Sequence, residues 1–172
     1  MRLGFLAFVL VFMVSGVAAL SAADNVLGLW KSVSEKTGQP ETITEIYEYQ
    51  GKIYGRIVQT FDEKGQYKDN LTTAWEKATK YAGAPAVCGF DLIWGLQDKG
   101  KDWQGTIYHP TEGNEYVCKI WKDGDKLIVR GQIKFLGIGR NQKWLPATQA
   151  DLPEGYAIPD AASFVPVQPK KK

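Results

Sequence analysis

The stretch VLGLWKSV, Val26 to Val33, sets a glycine two residues before a tryptophan at the head of the first strand-like segment of the chain. A large aromatic at the start of a strand suits the floor of a closed sheet, and the segments after it test that reading. Thr42 to Tyr49 is dense in Thr, Ile and Tyr; Gln50-Gly51 is a two-residue turn, and Lys52 to Thr60 returns as its antiparallel partner. Cys88 to Gln97, Asp102 to Tyr108, Asn114 to Trp121, Asp125 to Ile133 and Ile138 to Leu145 continue the rhythm, with Pro110 to Gly113 and Asp123-Gly124 as turns. Counting Leu27 to Ser34, the sequence predicts eight strands.

Eight strands joined mainly by tight hairpins favour an up-and-down antiparallel barrel, since a Greek-key sandwich needs long crossovers. Closure also removes the exposed edges. A barrel of this size is just wide enough to hold one small ligand. The single long connection, Phe61 to Val87, carries Thr73-Ala74-Trp75-Glu76 in the form of a capping box. Trp75, Ala78, Thr79 and Ala82 follow at helical spacing, and Gly83 and Pro85 would end the turn. A short helix is therefore expected between strands three and four. The reading is all-β, with that helix as its one exception.

The ends differ from this middle. Met1-Arg2, the apolar run Leu3 to Leu20 and the small residues Ser21-Ala22-Ala23 have the form of a cleavable secretory leader over residues 1–23. The barrel domain then spans 24–145, outside the cytoplasm, secreted or periplasmic, with no stable membrane insertion once the leader is removed. Residues 146–172 hold Pro146, Pro153, Pro159, Pro166 and Pro169 and read as an extended tail on the surface, ending in a solvated Lys170-Lys171-Lys172. Cys88 and Cys118 fit either a disulfide, which an oxidising compartment permits, or two buried small hydrophobes.

Lys plus Arg total 21 against 19 for Asp plus Glu, with no basic stripe to displace phosphate counterions, which argues against nucleic acid as a partner. Catalytic readings fare poorly. The one histidine, His109, sits at a turn tip beside Pro110 with no orienting partner in sequence. No metal-ligand spacing, phosphate loop or nucleophile motif occurs, so no catalytic residue, metal site or cofactor is expected.

Gly28-x-Trp30 resembles the mark of the lipocalin and wider calycin barrels. In those proteins the tryptophan lies across the closed end, under an arginine or lysine from near the last strand. Arg140 in LGIGRNQKW is the candidate partner here, with Arg130 as the other. A closer resemblance covers Gly28 to Trp144. The succession GLWK, TGQPETITEIYEYQGKIYGRIV, DLIWGL, WQGTIYHPTEGNEYVCKI, DGDKLIVRG and LGIGRNQKW is similar to the bacterial family known as domain of unknown function 2147. That resemblance implies an exported, lipocalin-like barrel and supplies no activity. His109 stands where the family usually has Asp, and the expected helix replaces a cysteine-containing stretch.

Binding is then the reading left by composition, with 6 Trp and 8 Tyr available for walls. Tyr54, Trp94, Tyr108 and Tyr116 are the candidate ligand contacts, with Arg56 as an anion anchor. Tyr116, Cys118 and Ile120 share one face of their strand, as do Trp103, Gly105 and Ile107, and Ile53, Gly55 and Ile57. Both faces carry hydrophobes, so alternation alone leaves the lumen side open. The expected partner is a small hydrophobic molecule or lipid. A protein partner held by the outer face or the tail, as in an interaction module of the cell envelope, is the alternative.

Overall fold

A computed structural model describes residues 26–172. The proposed leader lies outside the described residues. Nine strands form: β1 Gly28–Val33, β2 Pro40–Tyr49, β3 Lys52–Phe61, β4 Tyr67–Asn70, β5 Asp91–Asp98, β6 Trp103–Tyr108, β7 Glu115–Asp123, β8 Lys126–Gln132 and β9 Gly139–Pro146. All pairings are antiparallel, and the order β1-β2-β3-β5-β6-β7-β8-β9 returns to β1, closing an eight-stranded barrel. The remaining strand, β4, is a short flap on the end of β3. The eight expected strands are the eight staves.

The floor forms as the opening glycine and tryptophan suggest, but with a different cation. Gly28 has φ +109°, a backbone state open to glycine and strained for other residues. It turns the chain so that the indole Nε1–H of Trp30 donates to the Val26 carbonyl at 2.8 Å. The Lys122 ammonium lies 4.3 Å from the indole ring centroid. Arg140 is elsewhere, ion-paired with Glu35. The reason is register. Trp30 pairs with Pro146, six residues along β9 from Arg140, so the two ends of that strand lie about 20 Å apart. Lys122, beside the β7–β8 turn, faces inward at the floor. Arg130 bonds Asn141 across the β8–β9 pair instead.

No helix forms between β3 and β5. Thr73 donates its hydroxyl proton to the buried Asp69 carboxylate, whose other oxygen accepts the Glu76 N–H at 3.0 Å. Both halves of the expected cap are thereby drawn to a residue upstream of it. Ala74 takes φ +44°, which no α-helix contains. The segment folds instead as a small hairpin: Val87 N–H donates to Glu76 O, Lys77 pairs with Ala86, and Ala78 N–H donates to Pro85 O. Its buried Tyr81 donates to the His109 carbonyl at 3.1 Å, pinning the hairpin to the β6–β7 turn. Burial pushes the Tyr81 phenol up to about 12, with Tyr108 and Glu115 adding to it.

Two hydrophobic clusters result. The larger fills the barrel around Trp30, Ile46, Ile53, Leu96, Trp103, Ile120 and Trp144. The second lies on the outside of β2 and β3, where Ile43, Tyr47, Tyr54 and Val58 meet Leu152, Tyr156 and Phe164 of the tail. The tail is thus packed rather than merely extended. It makes two short 3-10 turns, Gln149–Asp151 and Ala161–Ser163, and Tyr156 donates its hydroxyl to the Val58 carbonyl at 2.8 Å. The final lysines keep exposed side chains, but their backbone is engaged: Lys171 bridges Tyr81, and Ala82 N–H donates to Lys170 O. Cys88 and Cys118 are free and buried, so the open choice between bridge and hydrophobe resolves to the second. Burial, then Asp69, pushes the Cys88 thiol up to about 12, and burial raises Cys118 likewise.

Candidate binding cavity

Strand alternation places Trp30 and Ser32 of β1, Ile57 of β3, Ile107 of β6, Tyr116 of β7, Val129 and Gly131 of β8, and Gln142 and Trp144 of β9 toward the barrel axis. Below, at the Trp30 end, side chains fill the space. Above, a cavity of about 1090 Å³ opens between the β1–β2, β3–β4, β6–β7 and β8–β9 loops and the Glu76–Val87 hairpin. Ile57, Leu92, Ile107, Val129 and Trp144 make most of its inner wall apolar, while Ser32, Thr42 and Thr60 border it on the β1–β3 side and Tyr108, Tyr116 and Gln142 on the β6–β9 side. Charges gather at the rim. Lys68 is paired there with Glu76 at 2.8 Å, and Arg140 with Glu35.

The sequence-derived contacts divide between the two sides of the wall. Tyr108 and Tyr116 line the cavity, with Tyr108 edge-on to Tyr81. Tyr54, Arg56 and Trp94 do not: Tyr54 packs outside against Tyr47 and edge-on to Trp94 at 5.0 Å. Arg56 also faces outward. Its guanidinium grips Asp91 through Nε at 2.9 Å and Nη2 at 2.8 Å, donates to the Val165 carbonyl, and stands 4.6 Å from the Phe164 ring centroid. It is a structural anchor for the tail rather than a contact for a luminal anion. The residues that reasoning from sequence missed, Ser32, Thr42 and Thr60, share one register row on three adjacent strands. Their signal was small polar residues on strands whose other positions are bulky.

His109 lies at the rim, about half exposed, with Glu112 Oε1 3.9 Å from its Nε2 and the Glu112 backbone N–H reaching its Nδ1 at 3.3 Å. Among the described residues no group of three or more His, Cys, Asp or Glu is placed to hold a metal ion. No helix among them is long and apolar enough to cross a membrane.

On the outer face, Glu45 lies opposite Leu29 and Arg56 in the sheet register, between Ile43 and Tyr47, and Arg56 turns away from it to Asp91. Burial pushes its carboxyl up to about 7. A folded-state value above the unfolded one means the protonated form is favoured by folding. This contribution is complete below about pH 4.5 and is lost as pH rises through about 7. Because the group is partly exposed, we expect the loss to be about 1 kcal/mol. Urea midpoints measured from pH 4.5 to 8 should show that decline in the wild type, and Glu45→Gln should abolish it.

A closed antiparallel barrel, sealed by an indole at one end and open to a cavity at the other, is a lipocalin-like fold. Among solved structures, the protein HP1028 from Helicobacter pylori, described as belonging to the lipocalin family, has the same fold. It is 13% identical with a TM-score of 0.56, covering 73% of this chain and 84% of its own. The chain belongs to the family of uncharacterized proteins conserved in bacteria known as domain of unknown function 2147, which matches residues 28–145. The match takes in the whole barrel and stops where the tail begins. No curated protein sequence matches the chain.

Proposed function

We propose that this is an exported binding protein, secreted or periplasmic, that holds a small, mainly hydrophobic molecule or lipid in its barrel without catalysis, as carrier, scavenger or sensor. The observation that carries the reading is the cavity itself. An apolar chamber of about 1090 Å³ sits above a solid floor, in the size range of small-molecule sites. The lipocalin description of the structural neighbour supports a binding role, and the leader-like residues 1–23 support export. A ligand of about 20 heavy atoms at roughly 0.3 kcal/mol each would bind with about 6 kcal/mol, a Kd of tens of micromolar.

Gly131 provides the test. Its backbone has no positive φ, and a Cβ there would meet Tyr116 at 3.7 Å and Ile107 at 3.8 Å, ordinary contact distances. A leucine side chain at 131 therefore enters the cavity without forcing the strands apart. N-phenyl-1-naphthylamine, fluorescent when removed from water, should bind the wild type, quenching Trp144 by energy transfer. Gly131→Leu should weaken that binding at least tenfold while the unfolding midpoint holds or rises, since strands favour side chains over glycine. Equal binding by both proteins places the probe somewhere other than the barrel and refutes the reading.

A further inference from the structure

We propose that the β8–β9 loop docks on an anionic lipid surface and sets the cavity mouth against it. The proposal goes beyond the cavity reading, and its test does not depend on what the cavity holds. Between β8 and β9 the chain runs Ile133-Lys134-Phe135-Leu136-Gly137-Ile138. Four of these residues are large hydrophobics left in water: Ile133 is 47% exposed, Leu136 65%, Ile138 66% and Phe135 90%. No other stretch of this length among the described residues exposes as many. Single exposed hydrophobics are ordinary on a protein surface, whereas a contiguous group marks a contact site.

Shape and charge together select lipid as the occupant. The loop is a projecting tip rather than a face, and a stable contact between two copies takes about 20–30 residues a side, far more than this turn supplies. Its backbone is closed on itself. Ile133 N–H donates to Ile138 O at 2.9 Å, Leu136 and Gly137 N–H both donate to Ile133 O at 3.2 Å, and the Gln132 side chain donates to Gly137 O at 3.1 Å. Lowering the tip into an apolar layer therefore strands few peptide groups. β8, the loop and β9 contain no Asp or Glu. Lys134 lies in the tip and Lys36 in the neighbouring β1–β2 loop, and neither has an acidic partner among the described residues. Arg140 and Glu35 join the same two loops as an ion pair and cancel. Of the other acids at the rim, Glu76 is paired with Lys68 and Glu112 lies against His109, while Glu41, Asp62 and Glu63 stand on the β2–β3 side of the mouth. The β8–β9 side thus carries the uncompensated positive charge. A lysine stem is long enough to keep its ammonium among phosphates while Phe135 and Leu136 beside it enter the acyl layer. Ile133 and Ile138 also line the cavity, so docking by this loop turns the mouth toward the lipid. The contact is peripheral and reversible, with no span.

The test is co-sedimentation of the exported chain, its N-terminus read by mass spectrometry, with vesicles of phosphatidylcholine alone or mixed in equal parts with phosphatidylglycerol. The wild type should sediment with the mixed vesicles and remain in solution with the neutral ones. Phe135→Ser combined with Leu136→Ser should weaken that binding at least tenfold and keep the wild-type unfolding midpoint, since both residues are exposed. Lys134→Gln alone should weaken it about fivefold. No binding by the wild type, or equal binding to both kinds of vesicle, overturns the proposal. So does binding that survives the double substitution but is lost when Lys170, Lys171 and Lys172 are replaced by Gln, which assigns the attraction to the end of the chain. Sedimentation equilibrium supplies the remaining outcome: a dimer abolished by the double substitution, in a protein that ignores vesicles, gives the loop to a second copy instead.

Discussion

Asp91→Ala should unfold at a urea midpoint far below the wild type, a loss of about 3–5 kcal/mol. Asp91 is 1% exposed and accepts four hydrogen bonds: two from Arg56, one from the Tyr47 hydroxyl at 2.8 Å and one from the Val167 N–H at 2.8 Å. Removing the carboxylate leaves the Arg56 guanidinium, enclosed between the sheet and Phe164, without a counterion. The Tyr47 hydroxyl and the Val167 amide lose their acceptor as well. The cost arises from orphaned groups rather than from the worth of the ion pair, which gives the experiment an internal control. Arg56→Met combined with Asp91→Leu should recover much of the loss, because no charge is then stranded. An Asp91→Ala protein within 1 kcal/mol of the wild type would show that water reaches the pair freely and that the tail does not seal it.

Ending the chain after Pro146 should leave the barrel folded and lower its stability by about 3 kcal/mol. Leu152, Tyr156 and Phe164 are buried against the outside of the sheet, at roughly 1.5–3 kcal/mol each. The conformational entropy of ordering the tail offsets much of that sum. None of the eight barrel strands draws a residue from beyond Pro146, so far-ultraviolet circular dichroism should keep its strand signature. What changes is the surface. Ile43, Tyr47, Tyr54 and Val58 become a contiguous apolar patch, and the dye ANS should bind the truncated protein and not the full chain. Because Arg56 and Asp91 hold the tail through Val165 and Val167, truncation and Asp91→Ala should be less than additive.

The barrel was legible because each hairpin announces itself locally. Gln50-Gly51 and Asp123-Gly124 fix turns, and strand alternation correctly grouped Ile53 with Gly55 and Ile57, and Tyr116 with Cys118 and Ile120. The side of the wall each group faces was hidden by the tail. A segment a hundred residues away buries Tyr47, Tyr54 and Val58, so the outer face of β2 and β3 is as apolar as the inner one, and Tyr54 and Trp94 read as luminal. Arg140 misled for a different reason. The sequence supplies a cation near the last strand, but only register shows that it stands at the mouth while Lys122 reaches the floor. The helix failed through competition that periodicity does not see: Asp69, outside the periodic window, captures both Thr73 and Glu76. And β4, four residues of mostly polar character, has no pattern to read.

The last residues of the chain finish beside the cavity mouth, with Lys170 and Lys172 joined by backbone hydrogen bonds to Ala82 and Lys80 of the hairpin that overhangs it. Anything fused beyond Lys172, an affinity tag or a fluorescent reporter, would therefore emerge at the doorway rather than at a remote pole. Such a fusion would crowd or prop the hairpin at the cavity mouth, whereas an attachment at the β5–β6 turn, on the floor side, would leave the doorway clear.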